Sequence, residues 1–197
     1  MIGFNNISNR FYMLKKFFFF TIFFLFLTTS LIFGVENPRW VAQPIYVYVP
    51  QYGNYTSYMR LAFKTWEEKS KGLVRFKFVS EPSSANIQVQ FVDYVTNCNT
   101  GSAVGCAHTF VRAGKYYKAL VTIGTKDKRT YLRGSEIVEK DVFRKKENIY
   151  GVMLHEIGHA LGLEHSINPN SIMYSYDLPT LQYLTKEDLM LLYKKYH

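Results

Sequence analysis

The feature that most restricts the fold of this chain is the stretch "HEIGHALGLEHSINPNSIMY", residues 155–174, which places three of the five histidines within eleven positions. On an α-helix, residues four apart lie on one flank and about 6 Å apart along the axis. His155 and His159 therefore project side by side. Gly162 supplies the left-handed turn that ends a helix, so the chain doubles back and His165 reaches the same point from a different direction. Three imidazoles around one ion with a fourth position left open is the arrangement of a catalytic zinc, whereas structural zinc is closed by four protein ligands. A lone pair of histidines at this spacing is usually a solvated coincidence. The full string H-E-x-x-H-x-x-G-x-x-H fixes five positions, which chance would produce in roughly one chain of this length in a hundred thousand.

The rest of the helix agrees. The reading runs from about Asn148 to Gly162, with an apolar stripe of Ile149, Val152, Met153, Ile157, Ala160 and Leu161 turned away from the histidines. Glu156 stands about 100° round from His155, well placed for a water beside the metal. Gly151 and Gly158 fall near the histidine side, where a missing side chain leaves room for a substrate or another backbone.

Ahead of this helix the chain reads as strands. "PIYVYVP" alternates through Ile45, Val47 and Val49; "LVRFKFV", "NIQVQFV", "CAHTFV" and "KALVTIG" follow, the last two around the turn "RAGKYY". A helix over 56–69 separates the first two, with Met59, Ala62, Phe63 and Trp66 at helical spacing behind a cap at Thr56. Residues 125–147 are charged and match neither period. The last helix starts at Thr185, where "TKED" signals a capping box, and its apolar positions include Leu189, Leu192 and Tyr193. With 197 residues and no internal repeat, one α+β domain is expected, strands first and the metal-bearing helix late.

Residues 17–34 carry no charge and follow Lys15 and Lys16, the layout of a signal peptide or, if retained, of an N-terminal membrane anchor. "MLKKFFFF" makes Met13 an alternative start. Residues 1–34 are thus expected to export the domain formed by 35–197, secreted or anchored with the domain outside. The net charge of +9, three of it from Arg10, Lys15 and Lys16, reads as a solvated basic surface. Nothing resembles a nucleic-acid module. Cys98 and Cys106 lie in the loop-like "NCNTGSAVGC"; outside the cell they either staple that loop or stay as two thiols.

The stretch resembles the metzincin zinc peptidases, which carry this histidine string followed by a methionine turn. Within them it is most similar to the matrixins, the family of the matrix metalloproteinases. The likeness extends through "HS" at 165–166, Pro169, "SIMY" with Met173, and "LTKEDLMLLYKKY"; upstream, "PRW", "IYVYV", "ANIQVQF" and "GCAHTF" resemble the family's strands. It implies a twisted mixed sheet with an edge strand for substrate, an active-site helix and a C-terminal helix. It implies zinc on His155, His159 and His165, Glu156 as the general base acting on a zinc-held water, and Met173 as an apolar floor that does not ligate. Ala107, His108, Thr109 and Phe110 would hold an extended peptide by strand addition. Ser175 replaces the proline expected after the Met-Tyr pair, which alters the wall of the specificity pocket. His108 matches a ligand of the family's second zinc, but its partners are missing. Asp93, Asp127 and Glu136 offer oxygens to calcium at no diagnostic spacing. The expected function is an exported, monomeric zinc endopeptidase acting on protein or peptide. The alternatives are a silent zinc-containing peptide-binding protein and a zinc hydrolase of cell-wall peptides.

Overall fold

The computed structural model describes residues 37–96, 98, 103–174 and 181–197, which belong to one unit, Asn37–His197. The expectations for residues 1–34 and for Ser175 lie outside the described residues. Five strands form a mixed sheet in the order β2-β1-β3-β5-β4: β1 (Ile45–Tyr48), β2 (Phe76–Val79), β3 (Ile87–Val92), β4 (Gly105–Arg112) and β5 (Lys115–Gly124). β1 pairs in parallel with both β2 and β3, β3 pairs in parallel with β5, and β4 runs antiparallel along β5 at the sheet's edge. Among the described residues three α-helices complete the fold: α1 (Gly53–Lys69), α2 (Lys146–Ala160) and α3 (Lys186–Tyr196).

The strands bury alternate residues, Ile45 and Val47 in β1 and Ile87 and Val89 in β3, so one face of the sheet seeks apolar cover. α1 and α2 supply it. They pack on each other, α1 reaching β2 while α2 lies against β4 and β5. Met59, Phe63 and Trp66 of α1 meet Met153, Leu154 and Ile157 of α2, all essentially inaccessible. Each such side chain contributes about 1.5–3 kcal/mol by leaving water. Two tryptophans also satisfy the carbonyls of α2: Trp66 Nε1 donates to Leu154 O at 3.0 Å and Trp40 Nε1 to Ala160 O at 2.8 Å.

The sequence reading differs from the structure in several places. α1 begins at Gly53, so Thr56 sits inside the helix and does not cap it; its hydroxyl accepts from Tyr52 N at 2.7 Å and donates to Pro50 O at 2.8 Å. α2 starts two residues before the expected point and ends at Ala160. Residues 125–147 hold a separate antiparallel hairpin, β6 (Lys126–Arg133) with β7 (Glu136–Phe143), turned at Gly134 with φ +66°. Its strands escaped the period-2 test because neither face is consistently apolar. Tyr193 is exposed, stacked on His197 at 4.1 Å between ring centres, while Leu192 alone of the three α3 positions is fully buried. Among the described residues no helix is long and apolar enough to cross a membrane.

Candidate metal centre

α2 ends in a left-handed turn that Gly162 makes at φ +90°. Gly162 N donates to His159 O at 2.8 Å and Leu163 N to Gly158 O at 2.9 Å, the paired bonds of a Schellman motif. A side chain at 162 would strike Tyr116 and Lys195 as well as strain the backbone. This reversal carries the chain back past the helix and sets His165 beside the other two histidines. Ring centres of His155 and His159 are 4.6 Å apart, of His159 and His165 4.6 Å, and of His155 and His165 5.3 Å. One nitrogen from each lies within 4.8 Å of the others. Among the described residues this is the one group of three His, Cys, Asp or Glu side chains so placed.

Backbone carbonyls orient two of the rings. His155 Nδ1 lies 2.6 Å from Ile172 O and His159 Nδ1 2.8 Å from Leu163 O. A carbonyl only accepts, so each Nδ1 carries the proton and each Nε2 presents its lone pair. Burial holds His155 below the usual histidine range. His159 is pushed down to about 4, by burial first and then by the neighbouring His155. Both rings are therefore neutral, the form that ligates. His159 Nε2 and His165 Nε2 stand 3.0 Å apart, close to the spacing of about 3.3 Å between nitrogens at 2.0–2.1 Å from one tetrahedral ion. The donor set fits zinc.

Glu156, 6% exposed, lies on the side of α2 facing β4, where a Cβ at Gly105 would come within 2.6 Å of its Oε1. Burial alone pushes its carboxyl up to about 8. Among the described residues no hydrogen-bond donor or cation pairs with it, which is unusual for a buried carboxyl.

Met173 is fully buried with its Sδ against Gly158; a Cβ there would come within 2.3 Å of the sulfur. The room left by Gly158 is thus filled by Met173 and by Trp66, not by substrate. The turn bearing Met173 depends on an acid that the sequence reading treated only as a helix cap. Asp188 makes the capping box with Thr185, and its carboxylate also accepts from Ser171 Oγ at 2.5 Å and from Ile172 N at 3.1 Å. Ile172 in turn supplies the carbonyl that orients His155. The sequence around it, "LTKEDLMLL", signals only the capping box. Glu187 beside it accepts from Ser166 Oγ at 2.8 Å and from Asn168 Nδ2, tying the loop after His165 to α3.

The structure joins Cys98 and Cys106 in a disulfide that fastens the loop before β4 to the edge strand. Ala107, His108, Thr109 and Phe110 lie on β4, whose second edge faces no strand among the described residues. His108 Nε2 is 3.4 Å from Cys106 Sγ. The acids offered for calcium are otherwise engaged or dispersed: Asp93 pairs with Lys126 at 2.8 Å, Asp127 with Arg144, and Glu136 stands exposed on the hairpin.

The family model described as Matrixin matches residues 48–196. The chain is 26% identical over 151 residues to a putative matrix metalloproteinase of Trichoplusia ni ascovirus 2c, covering 73% of this chain and 29% of that protein. It is 28% identical over 144 residues to karilysin of Tannerella forsythia, covering 70% and 28%. A probable matrix metalloproteinase of Invertebrate iridescent virus 3 is 57% identical over 42 residues, covering 21% of this chain and 12% of that one. In each case the chain spans less than a third of the relative's length.

Proposed function

The chain belongs to the matrixin family, and from that premise we propose that residues 35–197 form an exported zinc endopeptidase with Glu156 as its general base. Residues 1–34 are its signal peptide or membrane anchor. His155, His159 and His165 hold the zinc, which when bound polarises a carbonyl and acidifies water. The observation that carries the reading is the convergence of His155, His159 and His165, with the buried carboxyl of Glu156 next to His155 on α2 and no cation among the described residues to pair with it. A protein that only bound peptides would gain nothing from keeping it there.

Each residue then has a task. The carbonyls of Ile172 and Leu163 hold two imidazoles in the tautomer that leaves Nε2 free. Glu156 takes the proton of the attacking water on a carboxylate oxygen and passes it to the nitrogen of the departing amine. Ala107 to Phe110 hold the substrate as an extended strand along the free edge of β4, which aligns the scissile bond over the rings. Met173 and Trp66 fill the space behind α2 and keep the histidine flank fixed. Gly105 lets β4 approach close enough to shield Glu156 from bulk water.

The test is cleavage of a mixed peptide library by the purified full chain loaded with zinc, beside its Glu156→Ala variant. Cleavage is expected to fall about 10²–10⁴-fold in the variant while bound zinc stays at one per chain. A wild-type chain that holds zinc and cleaves nothing, or a variant that cleaves equally well, overturns the reading.

A further inference from the structure

The hairpin β6–β7 stands outside everything used so far. All residues from 128 to 141 are exposed, and its two strands form a sheet of their own whose outer edges pair with no strand among the described residues. An isolated two-stranded ribbon is only marginally stable in water, so its side chains are better explained by what they meet than by what they hold together.

Cross-strand register sorts those side chains into two faces. Lys126, Lys128, Thr130 and Leu132 share one face with Phe143, Asp141, Glu139 and Ile137. The body of the protein grips that face at its base. Tyr94 OH donates to Asp141 Oδ1 at 2.5 Å, Lys126 pairs with Asp93, and the ring of Phe143 lies 6.4 Å from that of Tyr55.

The other face is free above Asp127. On it Arg129 stands directly opposite Lys140, Tyr131 opposite Val138, and Arg133 opposite Glu136. Like charges facing each other across a ladder are destabilising. Among the described residues neither Arg129 nor Lys140 forms an ion pair. The face therefore offers two unneutralised cations, then an apolar pair exposed by 46% at Tyr131 and 38% at Val138, then an arginine opposed by a glutamate. These rows repeat about every 6.8 Å, the same-face repeat of a β-strand.

We propose that this face docks an extended polypeptide segment whose side chains on the facing side are acidic and apolar in turn, at every second residue, a part of the protein substrate remote from the scissile bond. The substrate role rests on the peptidase reading; the docking does not. A strand laid along the ribbon sets acids against Arg129 and Lys140 at the spacing that sets an apolar residue against Tyr131 and Val138, and a free edge can add its backbone hydrogen bonds. A membrane would first meet Arg133, Gly134, Ser135 and Glu136 at the turn, which is polar. A sulfated glycan carries charge but no side chain to cover Val138.

The experiment measures anisotropy of a fluorescein-labelled peptide of repeat Glu-Ser-Val-Ser, which shows Glu and Val in turn on one face, against the full chain carrying zinc and Glu156→Ala so that cleavage plays no part. The peptide is expected to bind, more weakly as salt rises, and Arg129→Glu/Lys140→Glu to weaken binding about tenfold. Arg129→Gln/Lys140→Gln, which relieves the like-charge contact, weakens it in the same direction. The exchanged pair Arg129→Lys/Lys140→Arg binds as the unaltered hairpin does. Equal binding of a peptide of repeat Ser-Ser-Val-Ser, or unchanged binding by the charge-reversed variant, overturns the proposal. So does heparin that binds through these residues where the Glu-Ser-Val-Ser peptide does not.

Discussion

Two neighbouring segments of this chain, the hairpin of β6 and β7 and the helix α2, are separated by two residues and are opposites in environment. Every residue of α2 from 149 to 158 is buried, whereas the hairpin buries none. The helix is held by tryptophans, a methionine turn and an edge strand, and its histidines inherit that rigidity. The hairpin is held only at its base. A side chain with many partners affects stability and the site together, and one with none acts only through what binds it from outside.

Substitutions that break this contrast should do so in a graded order. Trp66→Ala removes a fully buried ring and the donor to Leu154 O, and is expected to cost about 3–5 kcal/mol in chemical denaturation. Asp188→Ala leaves Ile172 N and Thr185 N without an acceptor, for a loss of about 1–3 kcal/mol for each group left buried and unpaired. Because Ile172 orients His155, zinc affinity measured by competition with a chelator should weaken as well. Gly158→Ala drives a methyl into Met173, an overpacking worth about 1–3 kcal/mol that should appear in the same denaturation series. Leu132→Thr with Ile137→Thr, at the exposed end of the ribbon, should move stability by no more than about 0.5 kcal/mol. A large loss there would mean that the hairpin supports the fold, and the contrast would fail.

The same contrast decides what could be read in the sequence. The convergence of His155, His159 and His165 was legible because it needs a fixed spacing on a helix and a glycine to turn the chain back, and both are visible in the residues. Strands β1 and β3 were legible because one face of each is covered and the other is not, which stamps a period of two on the residues. The ribbon carries charges on both faces and apolar residues on both, so the same test returned nothing for 126–143. Asp188 was misjudged for a different reason. Its bonds to Ser171 and Ile172 join positions sixteen or more residues apart, and the local capping box gave a sufficient reason for an acid there. At Gly158 the sequence shows a missing side chain and not the Met173 and Trp66 that fill the gap.

The double duty of Asp188 has a consequence for the order in which the molecule is made. One carboxylate both starts the last helix and fixes the turn behind His155, so the histidine site and that helix assemble together. While the chain is being synthesised, residues 155–173 leave the ribosome before the group that sets their geometry. The centre is then completed only once α3 has docked.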